Sequence, residues 1–151
     1  MSESELVTSV CIQAPPSRVW SVLTDFPAYA AWNPFLTSVQ GDLRLGARLT
    51  IRLAPPGKPA VSVRPTITAL EPCKRLVWQG FALAPGFFDG EHGFELEPLG
   101  QTACRLTHAE RFSGVLVAVV GPLLLDSTRL GFVNMNNALK LRAESDIPPL
   151  V

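Results

Sequence analysis

Two stretches decide how this chain folds: Gly90-Glu91-His92-Gly93-Phe94-Glu95-Leu96-Glu97 and Cys104-Arg105-Leu106-Thr107-His108-Ala109-Glu110-Arg111-Phe112, joined through Pro98-Leu99-Gly100-Gln101-Thr102. Both alternate polar and apolar residues, and side chains along a strand change faces with a period of two. His92, Phe94 and Leu96 therefore share one face of the first strand. Cys104, Leu106, His108, Glu110 and Phe112 share one face of the second. A five-residue hairpin loop at 98–102 predicts Leu96 opposite Cys104, Phe94 opposite Leu106 and His92 opposite His108, with Glu110 one step beyond. Both histidines of the chain and one carboxylate thus converge on a surface that otherwise has the composition of an interior.

Upstream, Leu6 to Ile12 has the pattern of a first strand, and Ala14-Pro15-Pro16 stops it and presets a short helix over Ser17 to Leu23. Val19, Trp20 and Leu23 fall at helical spacing and are expected in the core. Asp25-Phe26-Pro27 ends that helix. One further turn fits between Ala28 and Asn33-Pro34, because a residue before proline avoids the helical region. The period then changes. Leu49, Ile51 and Leu53 alternate with polar neighbours, as do Val61, Val63, Pro65, Ile67 and Ala69, which predicts half-buried antiparallel strands separated by the turn Pro55-Pro56-Gly57-Lys58-Pro59. Glu71-Pro72-Cys73-Lys74 leads into a strand with Leu76 and Trp78 inside and Val77 and Gln79 outside. Phe81 to Phe88 is expected to begin as strand and end as a lip over the interior.

The last element runs from about Pro122 to Ala143, with Leu124, Leu125, Thr128, Phe132, Met135 and Leu139 on one stripe and Gly131 beside it. A long amphipathic helix after a run of antiparallel strands buries its stripe on the concave side of a twisted sheet. The tail from Asp146 is expected to fray.

Composition narrows the function. At 151 residues the chain suits a single domain over 1–151, with a core of about 6–144, and it is 47% hydrophobic and 17% charged. The apolar excess needs an interior surface to occupy. Thirteen basic residues balance thirteen acidic ones, so there is no electrostatic footprint for nucleic acid. Cys11, Cys73 and Cys104 show no metal or disulfide spacing and are expected as reduced thiols. Met-Ser-Glu-Ser-Glu carries neither the basic nor the apolar region of a secretory leader, so the expected location is cytoplasmic. The apolar run Val115 to Leu125 is too short to cross a membrane, which takes about 20 residues. It fits a buried segment entering the last helix, with a mobile membrane-touching gate as the other reading. Stable membrane anchoring is not expected.

The order of strand, short helices, antiparallel strands and long C-terminal helix resembles the helix-grip fold of the START-like, or SRPBCC, superfamily, in its polyketide cyclase/dehydrase-like branch with a birch-allergen-like fold. The stretches that carry the likeness are Ile12-Gln-Ala-Pro-Pro, Val19-Trp20, Asp25-Phe-Pro leading to Trp32-Asn33-Pro34-Phe35, Leu76-Val-Trp78, Gly90-Glu-His92, Thr107-His108 through Phe112-Ser-Gly114, and Gly131-Phe132 with Met135-Asn136 and Ala138-Leu139-Lys140. The resemblance implies an α+β domain: a curved antiparallel sheet wrapped around the C-terminal helix, two short helices after the first strand, and a cavity between sheet and helix. Proteins on this scaffold bind lipids, sterols or polyketides, or close rings, so the fold does not fix the function.

The expected ligand-binding residues are Trp78, His92, Phe94, Leu106, His108 and Glu110 from the strands and Phe132, Met135 and Leu139 from the helix. In the binding reading they hold a small hydrophobic molecule of lipid, polyketide or aromatic type, with the histidines and Glu110 orienting its polar group. In the catalytic reading His92, His108 and Glu110 move a proton beside a carbonyl, as in a cyclase or dehydratase. A third reading leaves the two histidines as a hydrogen-bonded pair within the core. Two His and one Glu also make a partial metal shell, but no further ligand completes it, so neither metal nor other cofactor is expected. Nucleophilic chemistry at Cys104 is disfavoured by its distance along the strand from His108. Trp32 and Asn33 fit a packed turn or the cavity mouth. Expected partners are a small hydrophobic molecule and, at most, a second copy of the chain, as a monomer or homodimer.

Overall fold

The computed structural model describes residues 2–82 and 84–145. Strand β1 (Ser2–Ile12) leads into helix α1 (Pro16–Thr24), a 3-10 turn (Phe26–Ala28) and the single-turn helix α2 (Tyr29–Trp32). Then come β2 (Leu36–Gln40), β3 (Thr50–Leu53), β4 (Val61–Val63), β5 (Thr66–Glu71), β6 (Arg75–Ala82), β7 (Phe88–Pro98) and β8 (Cys104–Gly114). The long helix α3 (Val117–Ser145) closes the chain. A five-stranded antiparallel sheet has the order β1-β8-β7-β6-β5, and a three-stranded sheet the order β2-β3-β4. Helix α3 packs on β1, β8 and α1. This is the helix-grip arrangement. Among the described residues no helix is long and apolar enough to cross a membrane.

The predicted stripe of α3 supplies Thr128, Phe132, Met135 and Leu139, all buried, and Leu6, Leu106, Phe94 and Ile12 face them from the strands. Gly131 is required where it stands: a Cβ there would come within 2.5 Å of the Phe35 ring, which meets Phe132 edge-on at 5.6 Å. Trp32 and Asn33 form the packed turn. The Asn33 side-chain oxygen accepts from the backbone N–H groups of Phe35 and Leu36 at 3.0 and 2.9 Å, which turns the chain out of α2 into β2.

The structure differs from the sequence expectations in five places. The β7–β8 register is shifted by two: Leu96 lies opposite Leu106, Phe94 opposite His108 and His92 opposite Glu110. The loop is 99–103, closed by the Leu99 N–H on the Ala103 carbonyl, with Gly100 supplying a positive φ of 82°. A shift of two preserves the faces, so the inward set is unchanged. Second, the run 61–69 is two strands: Pro65, which has no N–H to donate, separates β4 from β5, and they join different sheets. Third, β2 was not foreseen. Fourth, α3 starts at Val117 and runs through Pro122, which costs only the bond that residue would have made back to Ala118 in the second turn. The run 115–125 is therefore not a buried segment, since Val119 and Leu123 are 68% and 69% exposed. Fifth, Val77 points outward yet is buried. Of the expected lip, Phe81 and Ala82 end β6, residues 84–87 form a turn and Phe88 opens β7; Leu83 and the expected frayed tail, 146–151, lie outside the described residues.

Candidate functional site

The paired strands β6 and β7 carry Gly80 opposite Gly90, one step from Trp78 opposite His92 on the inward face. Two residues without side chains at this point leave space where neighbouring positions fill it. A Cβ on Gly90 would sit 2.7 Å from the Glu110 Oε2, so this glycine is what lets the carboxylate lean inward. A Cβ on Gly80 would meet Pro65 at 3.3 Å. Above the two glycines lies a cavity of about 410 Å³. Ile51, Leu53, Val61 and Val63 of the small sheet form one wall, with Pro55, Lys58 and Pro59 of the β3–β4 loop. Trp78, Phe88 and Phe112 of the large sheet form another, and Leu124 and Thr128 of α3 close the side next to Phe35. The Ser127 hydroxyl donates to the Pro56 carbonyl at 2.7 Å, joining α3 to the loop. Phe81, Val61 and Lys58 belong to the lining and are also exposed, so the cavity opens beside them.

At the inner end stand His92 and Glu110. His92 Nδ1 is 3.5 Å from Glu110 Oε1, and the two side chains are 6% and 18% exposed. His92 Nε2 is 2.6 Å from His108 Nε2. His108 Nδ1 is 2.8 Å from Asn136 Oδ1, and the Asn136 amide donates to the Thr8 hydroxyl at 2.8 Å. The Thr8 hydroxyl in turn donates to the His108 carbonyl at 2.9 Å. Aromatic rings surround this row. Phe132 stacks on His108 at 3.8 Å between centroids, and Trp78 and Phe94 lie 5.1 and 5.0 Å from the His92 ring. Burial, and after it the neighbouring His92, hold the pKa of His108 well below the ordinary 6.5, and the Asn136 bond only partly opposes this. His108 is neutral at pH 7.

Of the residues expected from the sequence, Trp78, His92 and Glu110 line the cavity. His108 lies one layer behind His92, with no exposed surface. Phe94, Leu106, Phe132, Met135 and Leu139 are packed core behind the cavity wall. Cys104 is also core, and burial, with Cys11 as the lesser cause, raises its thiol pKa. Sequence reasoning missed Thr8, Asn136, the glycine pair and the entire β3–β4 wall. Asn136 carried a signal: it sits four residues beyond Phe132 on an otherwise apolar stripe, where a polar side chain must find partners. The described residues include no group of three or more His, Cys, Asp or Glu side chains placed to hold a metal ion. A second hollow of about 550 Å³ is bordered by the polar side chains of Thr66, Gln79, Glu91 and Arg111 together with Phe81 and Pro85.

Residues 4–138 match the family model described as polyketide cyclase / dehydrase and lipid transport. The chain belongs to this family. Among solved structures, a norcoclaurine synthase point mutant from Thalictrum flavum in complex with a transition-state analogue superposes with a TM-score of 0.73 at 12% identity, covering 95% of each chain. The Zhui aromatase/cyclase from Streptomyces sp. R1128 gives 0.70 at 19%, covering 95% of this chain and 94% of that one. A START superfamily protein from Mycobacterium smegmatis gives 0.73 at 19%, covering 93% and 97%. No curated protein sequence matches the chain. At identities this low, these are likenesses of fold alone.

Proposed function

We propose that the protein binds a small hydrophobic molecule bearing one polar group, its apolar body against the cavity walls and the polar group at His92 and Glu110. One observation carries this reading: a cavity of about 410 Å³ with mostly apolar walls ends on a single imidazole–carboxylate pair. That is the usual division of labour in a ligand pocket, with apolar area supplying affinity and a few polar groups fixing orientation. Membership of a family described by cyclase, dehydrase and lipid-transport activities supports it.

The test is native mass spectrometry of protein purified without detergent, followed by extraction and by titration with 2-naphthol as a fluorescent probe. A stoichiometric hydrophobe, or saturable naphthol binding that His92→Ala weakens, is the expected result. A clean apo mass with no saturable binding would sink the proposal.

A second reading, proton transfer at a carbon beside a carbonyl as in a cyclase or dehydratase, is favoured by the His92–Glu110 pair facing the cavity. His108 has no surface in the cavity, so in this reading the groups that touch substrate are His92 and Glu110. Turnover of polyketide-like substrates that is abolished in both His92→Ala and Glu110→Gln would establish it.

A further inference from the structure

The row from Thr8 to Glu110 has one consistent placement of protons. A carbonyl can only accept, so the Thr8 hydroxyl gives its single proton to the His108 carbonyl. Its oxygen must then accept from Asn136, which fixes the amide nitrogen toward Thr8 and the amide oxygen toward His108. With the amide reversed, two acceptors would face each other across 2.8 Å. Asn136 Oδ1 therefore accepts from His108 Nδ1–H. His108 is neutral and buried, so its other nitrogen, Nε2, holds a lone pair. The 2.6 Å contact between the histidines then carries a proton only if His92 donates it from Nε2. What remains is His92 Nδ1, turned onto Glu110.

We infer that Thr8, Asn136 and His108 are positioning residues that lock His92 in the tautomer with its proton on Nε2, so that Nδ1 is presented to Glu110 and the cavity. The separation of 3.5 Å is too long for a strong hydrogen bond, which leaves both atoms able to engage a third group. His92 Nδ1, with its proton on the other ring nitrogen, accepts from a ligand hydroxyl or N–H. A ligand carboxylate meets Glu110 as a like charge unless it takes up a further proton. His108 of β8 meets His92 directly, Lys58 of the β3–β4 loop lines the same cavity, and Glu5, Arg75, Glu91, Glu95 and Arg111 border Glu110 along the outer face of the sheet; β6 and α3 present Trp78 and Phe132, which do not titrate.

The inference rests on the cavity being a ligand site, but its first test needs no ligand. In the full chain labelled with 15N-histidine, long-range proton–nitrogen correlation at pH 7 should show His108 protonated on Nδ1 and a proton on His92 Nε2. Asn136→Ala should abolish the single tautomer of His108, and Thr8→Val, which keeps the side-chain volume, should do the same if the alanine variant fails to fold. His108 protonated on Nε2, or a tautomer unmoved in both variants, would overturn the inference. In the second arm, Thr8→Val should weaken 2-naphthol binding about fivefold, the loss of roughly one net hydrogen bond, and shift the pH profile of binding. Locked tautomers without saturable naphthol binding would defeat the binding reading and leave the proton row standing. Naphthol bound over inverted tautomers would defeat the proton row alone.

Discussion

Gly90 shows how one missing methyl group places a charge. Alanine at this position would ordinarily add about 0.4–1 kcal/mol of stability by restricting the unfolded chain. Here the new Cβ would stand 2.7 Å from the Glu110 Oε2 and push the carboxylate away from His92. Gly90→Ala should therefore lower 2-naphthol affinity several-fold, measured by fluorescence titration, with a melting temperature close to that of the parent. A large loss of melting temperature together with unchanged affinity would contradict this account. At this scale the sequence was partly legible. Period-two alternation put both histidines and Glu110 on the inward face, but alternation cannot distinguish a residue lining a cavity from one packed behind it. His108 and Phe94 have the same periodicity as His92 and lie in the layer behind. What separates them is the empty space over Gly80 and Gly90, which depends on how three strands sit side by side.

At the scale of elements, α3 and the turn before β2 depend on each other through Gly131. Replacing glycine by alanine inside a helix ordinarily gains about 1 kcal/mol. The Phe35 ring, with its Cδ1 at 2.5 Å from the would-be Cβ, reverses the sign. Gly131→Ala should destabilise the protein by about 1–3 kcal/mol through overpacking, read as a lowered denaturant midpoint. A midpoint that rises would show that Phe35 can step aside. Elements with a strong internal pattern were visible in the sequence: α1, the turn at Trp32-Asn33, β7, β8 and the stripe of α3. The register of the hairpin was not, because Pro98 and Gly100 both suggest a turn and the shift of two between the alternatives leaves every face as it was. The division at Pro65 depended on knowing that β4 and β5 belong to different sheets, a long-range fact with no local mark other than the proline itself.

The whole molecule feels the buried row as a pH dependence. His108 has a folded pKa well below the ordinary 6.5, so below that pH the unfolded chain takes up a proton that the folded one refuses. The contribution is intact above 6.5 and is lost as pH falls toward the folded value. Stability should decline by up to about 1.4 kcal/mol per pH unit as the pH drops from 6.5, measured by urea unfolding at successive pH values. His108→Gln should flatten that slope even if it lowers stability throughout. An unchanged slope in the variant would assign the pH dependence to other groups. The same row explains why the core tolerates polar side chains at all. Thr8, His108 and Asn136 satisfy one another, and an unpaired member would cost about 1–3 kcal/mol.

Where Gly80 faces Gly90, the floor of the cavity is main chain alone. Any substitution at either position raises that floor, and none can lower it, since neither residue has a side chain left to remove. The depth available to a guest molecule is already the greatest this pair of strands allows, so variants that admit larger guests have to be sought in the walls and rim, at Trp78, Phe88 or the β3–β4 loop.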